Sequence, residues 1–282
     1  MPRGLRVEPG SGAELRSRSP GDHAGLAGKA KARKELAKVV DEIALLHNRL
    51  YAEATRSLLL ILQGLDASGK DGTVRSVLTG VNPQGCRIVS FREPSATELA
   101  HDYLWRVHAV TPLRGEIGIF NRSHYEDIVT ARVHKVVSKA VWRRRRRHVR
   151  EFERMLSDEG TTLVKVFLHV SRDEQRKRLE ERLVNPEKGW KFRRSDLDDR
   201  ARWDEFIDAY EDVIGQTSTR WAPWYVVPAD HRWFSHLATA GVLVAALSAI
   251  NPRYPAADPA ERDRMAQVRA ELVAELGAAQ PG

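Results

Sequence analysis

Residues 64–70 read Gly-Leu-Asp-Ala-Ser-Gly-Lys, the spacing G-x-x-x-x-G-K. In that pattern consecutive backbone N–H groups wrap a phosphate at a helix N-terminus, where the macrodipole is positive. Gly64, Ala67, Ser68, Gly69, Gly72 and Thr73 are the candidate cradle, and Lys70 adds a mobile cation for the phosphate oxygens. After the lysine such loops carry Ser or Thr to hold Mg2+; here the residue is Asp71. A second carboxylate, Asp66, lies inside the loop. Carboxylates beside a polyanion repel it unless divalent cations lie between, and carboxylate suits a hard Mg2+ ion as well as a hydroxyl does. Asp66 and Asp71 are therefore candidate metal ligands. The alternative is that they only cap the turn and the helix.

A second chemistry-bearing stretch is "GEIGIFNRSHYED", Gly115 to Asp127. The strand that usually ends in a Mg2+-binding Asp ends here in neutral Asn121, which shifts the metal role toward Asp66 and Asp71. Arg122 follows at the carboxyl end of the strand, where open α/β sheets bind ligands. Glu126 and Asp127 lie one turn into the next helix, with Arg132 and His134 further along. Glu126 either touches substrate or complements the helix N-terminus electrostatically.

Positive charge concentrates beyond this point. "WRRRRRHVR" (Trp142 to Arg150) holds five successive arginines, which point around a helix and cannot all face one ligand. Arg178 and Arg182 are four apart and align along one side of their helix. Lys188, Lys191, Arg193 and Arg194 surround Trp190 and Phe192. With Arg75, Arg92 and Arg132 these make a cationic field, and guanidinium matches phosphate geometry bidentately. Taken singly, each arginine reads better as a solvated surface charge; the ensemble favours a functional field.

The elements that must position these groups follow from periodicity. "LLLIL" (Leu58 to Leu62) is continuously apolar, as a central parallel strand covered on both faces is. Further strands are predicted over 86–91, 116–121, 161–168 and 223–228. Between them lie helices over 32–54, from Asp71, from the Ser95/Glu98 capping box, through "SHYEDIVTARVH", and over 140–157, 173–183, 198–216 and 236–250. Strands alternating with helices imply an α/β protein with a parallel sheet wound on both faces. Residues 1–30, rich in Gly, Ser, Pro and charge, are expected to be disordered or loosely attached; 31–250 form the domain, and 251–282 a tail with a short helix.

With 282 residues, 42% hydrophobic and 30% charged, the chain can bury a real core. Its net charge of +8 predicts an anionic partner. Lone Cys86 excludes an internal disulfide, the apolar run Ala238 to Ile250 is too short to span a bilayer, and no signal peptide is evident. A soluble cytoplasmic protein is expected.

"QGLDASGKDGT", "VNPQGCRIVSFREPS", "HDYLWRVHAVTPLRGEIGIFNRSHYEDIVTARVH", "FLHVSRDEQRKRLEERL", "KGWKF" and "APWYVVPAD", in this order, resemble a family-2 polyphosphate kinase from about Leu46 to Ile250. The resemblance implies a P-loop, thymidylate-kinase-like fold with a helical basic lid over about 140–195. It implies transfer of the terminal phosphoryl group of inorganic polyphosphate to a nucleoside mono- or diphosphate, reversibly and with Mg2+, by a homodimer or homotetramer. "FNRSHYED" is similar to the subgroup that takes both acceptors, so Asn121 does not depart from that subgroup. By matched motif, Asp66, Lys70 and Asp71 fall in the phosphate and Mg2+ loop, Arg122 in the second motif, and Arg178 and Arg182 in the lid helix.

The acceptor in such a reaction is a phosphate oxygen, ionised at neutral pH, so no general base is required and catalysis reduces to in-line positioning and charge neutralisation. Competing readings are a nucleoside-triphosphate-dependent kinase of a small acceptor and a nucleic-acid-binding protein using the arginine helix. The latter lacks an aromatic strand platform or recognition-helix pattern, and no strongly apolar face opposes the arginines. Neither nucleic acid nor membrane is an expected partner.

Overall fold

Six strands form one sheet in the computed structural model, which describes residues 4–278: β1 (Arg6–Val7), β2 (Ser57–Gln63), β3 (Cys86–Ser90), β4 (Ile117–Asn121), β5 (Thr161–His169) and β6 (Trp224–Pro228). Their order is β1-β6-β5-β2-β4-β3, so β2 lies inside the sheet, and every residue of it is buried, as its unbroken apolar run requires. β2 to β6 are mutually parallel, but β1 runs antiparallel on β6, which makes the sheet mixed rather than purely parallel.

The helices are α1 (Lys29–Glu53), α2 (Lys70–Val77), α3 (Ala96–Leu99), α4 (Trp105–His108), α5 (Glu126–Val133), α6 (Lys139–Asp158), α7 (Arg172–Val184), α8 (Ser195–Ala201), α9 (Trp203–Thr217), α10 (Arg232–Ile250) and α11 (Pro259–Ala278). Side chains alternate across β5: Lys165 and Phe167 meet Glu153 of α6 and Tyr210 of α9, while α10 covers the other face with α1 against it. By length and composition α10 matches a membrane span, yet Phe234, Val242, Leu243 and Leu247 are buried in the core.

Several expectations change. The capping box at Ser95 and Glu98 forms, but α3 lasts a single turn. The helix expected over 198–216 breaks at Arg202 into α8 and α9. The tail helix α11 is 20 residues long, not short. α6, expected in a lid, is a layer of the core: Trp142, Val149, Phe152 and Leu156 are buried.

The N-terminal segment is not loosely attached over its described residues. Leu5, Val7, Ala13 and Leu15 join the core, the Glu211 carboxylate accepts from the Glu14 and Leu15 amides at 2.6 Å each, and Arg16 pairs with Asp204 and Asp208. Apolar residues scattered singly among Gly and Ser carry no periodicity, so composition hid this packing. Residues 1–3 and 279–282 lie outside the described residues. Burying Leu5, Val7 and Leu15 is worth about 1.5–3 kcal/mol each as an upper bound. Deleting residues 1–27 is therefore expected to lower the thermal midpoint by several degrees, and an unchanged midpoint contradicts a structural role for this strap.

Candidate active site

β2 delivers the chain to Gly64, whose φ is 150°; a Cβ there would stand 2.8 Å from both the Leu168 carbonyl and Ser68 Oγ. Gly69, at φ 108°, turns the chain into α2. Ala67 between them holds φ 60°, a conformation non-glycine residues keep only when their surroundings enforce it. α7 does the enforcing. Gln175 Nε2 donates to the Asp66 carbonyl at 3.0 Å, and Arg178 Nη1 donates to the Ala67 and Ser68 carbonyls at 3.1 and 2.9 Å. A trans peptide points its N–H opposite its C=O, so the amides of Ala67 and Gly69 are turned away from α7.

Lys70 is buried, with Nζ donating to the carbonyls of Gly64 at 2.6 Å and Leu65 at 3.2 Å. Burial pushes its ammonium pKa down to about 8 and Arg122 adds to this, while Asp66, Glu126 and Asp71 oppose it. The Ser68 hydroxyl is buried without a hydrogen-bond partner. Thr73 instead returns its hydroxyl to Gly69 O, and Gly72 packs close to His236. A ring of backbone around a buried cation and an orphan hydroxyl fits an oxyanion.

At the end of β4, Arg122 sits at φ 63° with its amide on Leu62 O at 3.0 Å, and its guanidinium pairs with Asp66. Burial works to raise the Asp66 pKa, but Arg122, Lys70 and Arg182 outweigh it and hold the carboxyl below its ordinary value. Asp66 thus stays ionised. Asn121, one residue earlier, donates its amide to Asp71 Oδ1 at 2.8 Å. That bond gives the neutral strand end a role: it aims a carboxylate delivered by the loop. Glu126 accepts from Thr130 Oγ1 at 2.7 Å and, with Asp66, Arg122, Asp199 and Tyr210, lines a cleft beside Gly64.

Among the described residues no cluster of three or more His, Cys, Asp or Glu forms a ready metal cage. Mg2+ needs none: it takes one or two carboxylates, waters and substrate phosphates. Asp66 and Asp71, both acting electrostatically on Lys70, are hard oxygen donors of that kind, so the residues fit the ion.

The remaining candidates divide. Arg182 bonds Asp196 at 3.2 Å and helps hold the Asp66 carboxyl below its ordinary value, though it does not itself line the cleft. Arg178 does not reach outward. Its five donors go to Glu174 and to the carbonyls of Ala67, Ser68, Ala229 and Asp230, and its side chain is 3% exposed. It braces the loop from behind, with every donor already committed to protein acceptors. Arg178→Ala leaves these acceptors unpaired and is expected to cost about 3–5 kcal/mol, seen as a lowered urea midpoint. An unaltered midpoint with a salt-sensitive rise in KM returns Arg178 to the substrate groove.

Arg132 is likewise withdrawn: it bonds Asp212 at 3.0 Å and lies over the Trp142 ring. Within the arginine run, Arg146 also binds Asp212, and Arg145 donates to Asp127 O at 2.7 Å over the Tyr103 ring. Arg143, Arg144 and Arg147 are exposed. Arg75 and Arg92 are exposed too, outside the cleft lining, and the side chain of Lys191 lies outside the described residues. Sequence reasoning missed Gln175, Tyr210 and Gln63, which bridges Ser123 and Tyr210. Gln175 was findable, since it lies three residues before Arg178 on the same helical face.

A phosphate cradle at the carboxyl edge of an α/β sheet, faced by arginines and carboxylates, defines a phosphoryl-transferring P-loop kinase. The sequence pattern described as Polyphosphate kinase 2 matches residues 27–255, and the chain belongs to that family. It is 51% identical over 251 residues to a Meiothermus ruber protein named AMP/ADP-polyphosphate phosphotransferase, covering 89% of this chain and 94% of the relative. A Rhodopseudomonas palustris ADP-polyphosphate phosphotransferase is 44% identical, covering 83% of this chain and 85% of its own. The crystal structure of polyphosphate kinase 2 from Arthrobacter aurescens TC1 superposes with a TM-score of 0.88 at 40% identity, covering 94% of this chain and 96% of that one.

Proposed function

We propose that this chain moves the terminal phosphoryl group of inorganic polyphosphate onto AMP and ADP. The observation that carries the reading is the buried Lys70 inside a backbone ring, faced by the Arg122–Asp66 pair. The Meiothermus ruber relative supports the choice of both acceptors. In the transfer, the bond between the terminal phosphorus and its bridging oxygen breaks. A bond from an acceptor phosphate oxygen to that phosphorus forms, and the shortened chain leaves with the negative charge. Lys70 exchanges its two carbonyl partners for phosphate oxygens, the Ala67 and Gly69 amides hold them, and Arg122 and Arg182 neutralise charge at the transfer point. Mg2+, held by Asp66 and Asp71, supplies further neutralisation of phosphate oxygens when bound. Exposed Arg143, Arg144 and Arg147 supply positive potential for a polyanion of about one charge per phosphate.

Incubating the protein with polyphosphate, Mg2+ and AMP or ADP, with no triphosphate supplied, is expected to yield ADP and ATP, and chelation to stop both. Failure with either acceptor refutes the proposal; turnover only on adding a nucleoside triphosphate and a small acceptor points to an ordinary kinase.

A further inference from the structure

We propose that Lys165 and Glu153 are positioning residues for the transfer reaction, acting through Tyr125 on the turn that carries Arg122 and Glu126; this rests on the cleft reading above. Lys165, in the middle of β5, and Glu153, on α6, are both 0% exposed, with Nζ donating to Oε2 at 2.6 Å. Desolvating two charges costs about as much as their attraction returns, and well-packed apolar side chains serve stability as well or better. Stability therefore does not account for the pair.

What the pair grips does. The Tyr125 hydroxyl donates to Glu153 Oε1 at 2.8 Å and accepts from Lys165 Nζ at 2.9 Å. The third ammonium donor goes to Thr217 O at 2.8 Å, so Lys165 is saturated. Thr217 Oγ1 accepts from Trp224 Nε1 at 2.9 Å, and His124 Nε2 stands 3.3 Å from Glu153 Oε1. The network thus ties α6, β5, the end of α9 and β6 to one phenol. Burial, with Glu153 beside it, pushes the Tyr125 pKa up, so the phenol keeps the proton it donates.

Tyr125 is the residue before α5, which opens at Glu126, and lies three residues after Arg122. The turn between is pinned from above by the Arg122 amide on Leu62 O at 3.0 Å and by Ser123 against Gln63 at 3.0 Å. From below the buried hydroxyl holds it to Glu153 and Lys165, alongside His124 on Glu153 and the Tyr125 ring edge-on to Trp224. A left-handed Arg122 persists where its surroundings over-determine it, and a small displacement at a transfer site is amplified into lost turnover.

Tyr125→Phe removes that hydroxyl alone. It is expected to lower kcat on the order of tenfold with KM for polyphosphate and ADP unchanged. In an Arg122→Ala background the same change is expected to lower kcat less than about twofold, because the residue it positions is gone. Lys165→Met/Glu153→Leu, checked as folded by its thermal midpoint, is expected to repeat this pattern; should it not fold, the Tyr125 cycle decides alone. Equal losses in both backgrounds, a loss in KM only, or no loss at all overturn the inference. If Arg122→Ala itself turns over normally, the cleft reading fails first and takes the inference with it; if Arg122→Ala is impaired and the losses are additive, only the inference fails.

Discussion

Lys70→Ala is expected to lower kcat with polyphosphate and ADP at least ~100-fold, the scale of losing a key electrostatic group at a transfer site. Lys70 is the cation inside the ring, and its Nζ is already placed on two carbonyls of the loop that must receive the phosphate. Alanine leaves those carbonyls to water, a modest loss beside the missing charge, so the variant is expected to fold. Lys70→Arg does not restore activity in this reading. A planar fork cannot reproduce the point contacts that Nζ makes with the Gly64 and Leu65 carbonyls at 2.6 and 3.2 Å. Steady-state turnover of both variants, with circular dichroism to verify folding, checks the expectation. Near-normal kcat for Lys70→Ala removes this residue from the mechanism.

The parts of the fold legible in the sequence were those whose signal is local. The buried run of β2, the glycine spacing at 64–70 and the Ser95/Glu98 box each depend on neighbours within a few residues, and each forms. What misled was direction. The four-residue spacing of Arg178 and Arg182 fixes a shared helical side, but not whether a loop or solvent lies against it. Arginine type argues for solvent, whereas the four carbonyls around Arg178 come from residues far away in sequence. The five successive arginines of α6 sort by the same rule: Asp212 and Asp127 O claim two of them through partners no local pattern reveals. Asn121 read as a lost metal ligand, because its partner Asp71 is fifty residues earlier. No local pattern singles out Lys165, since Glu153 and Tyr125 reach it from other parts of the chain.

Asp66→Ala is expected to match the Lys70 loss, at least ~100-fold in kcat, for a different reason. The carboxylate sits in the loop, stays ionised against the cost of burial, and pairs with Arg122 from the adjacent strand. Removing it frees Arg122 from the orientation that aims it at the cleft and deletes one of two candidate Mg2+ donors. Asp66→Asn separates this from simple capping. An amide keeps the shape and can cap the turn, but carries no charge for Arg122 or a cation. If Asp66 only caps, the Asn variant turns over normally and the Ala variant loses stability with little change in kcat. If the charge matters, both variants lose turnover and both need more Mg2+ for half-maximal rate, because Asp71 would hold the ion with one carboxylate fewer. The Mg2+ dependence carries the most weight, since a purely structural lesion lowers the active fraction without moving the concentration at which the surviving enzyme is half-saturated.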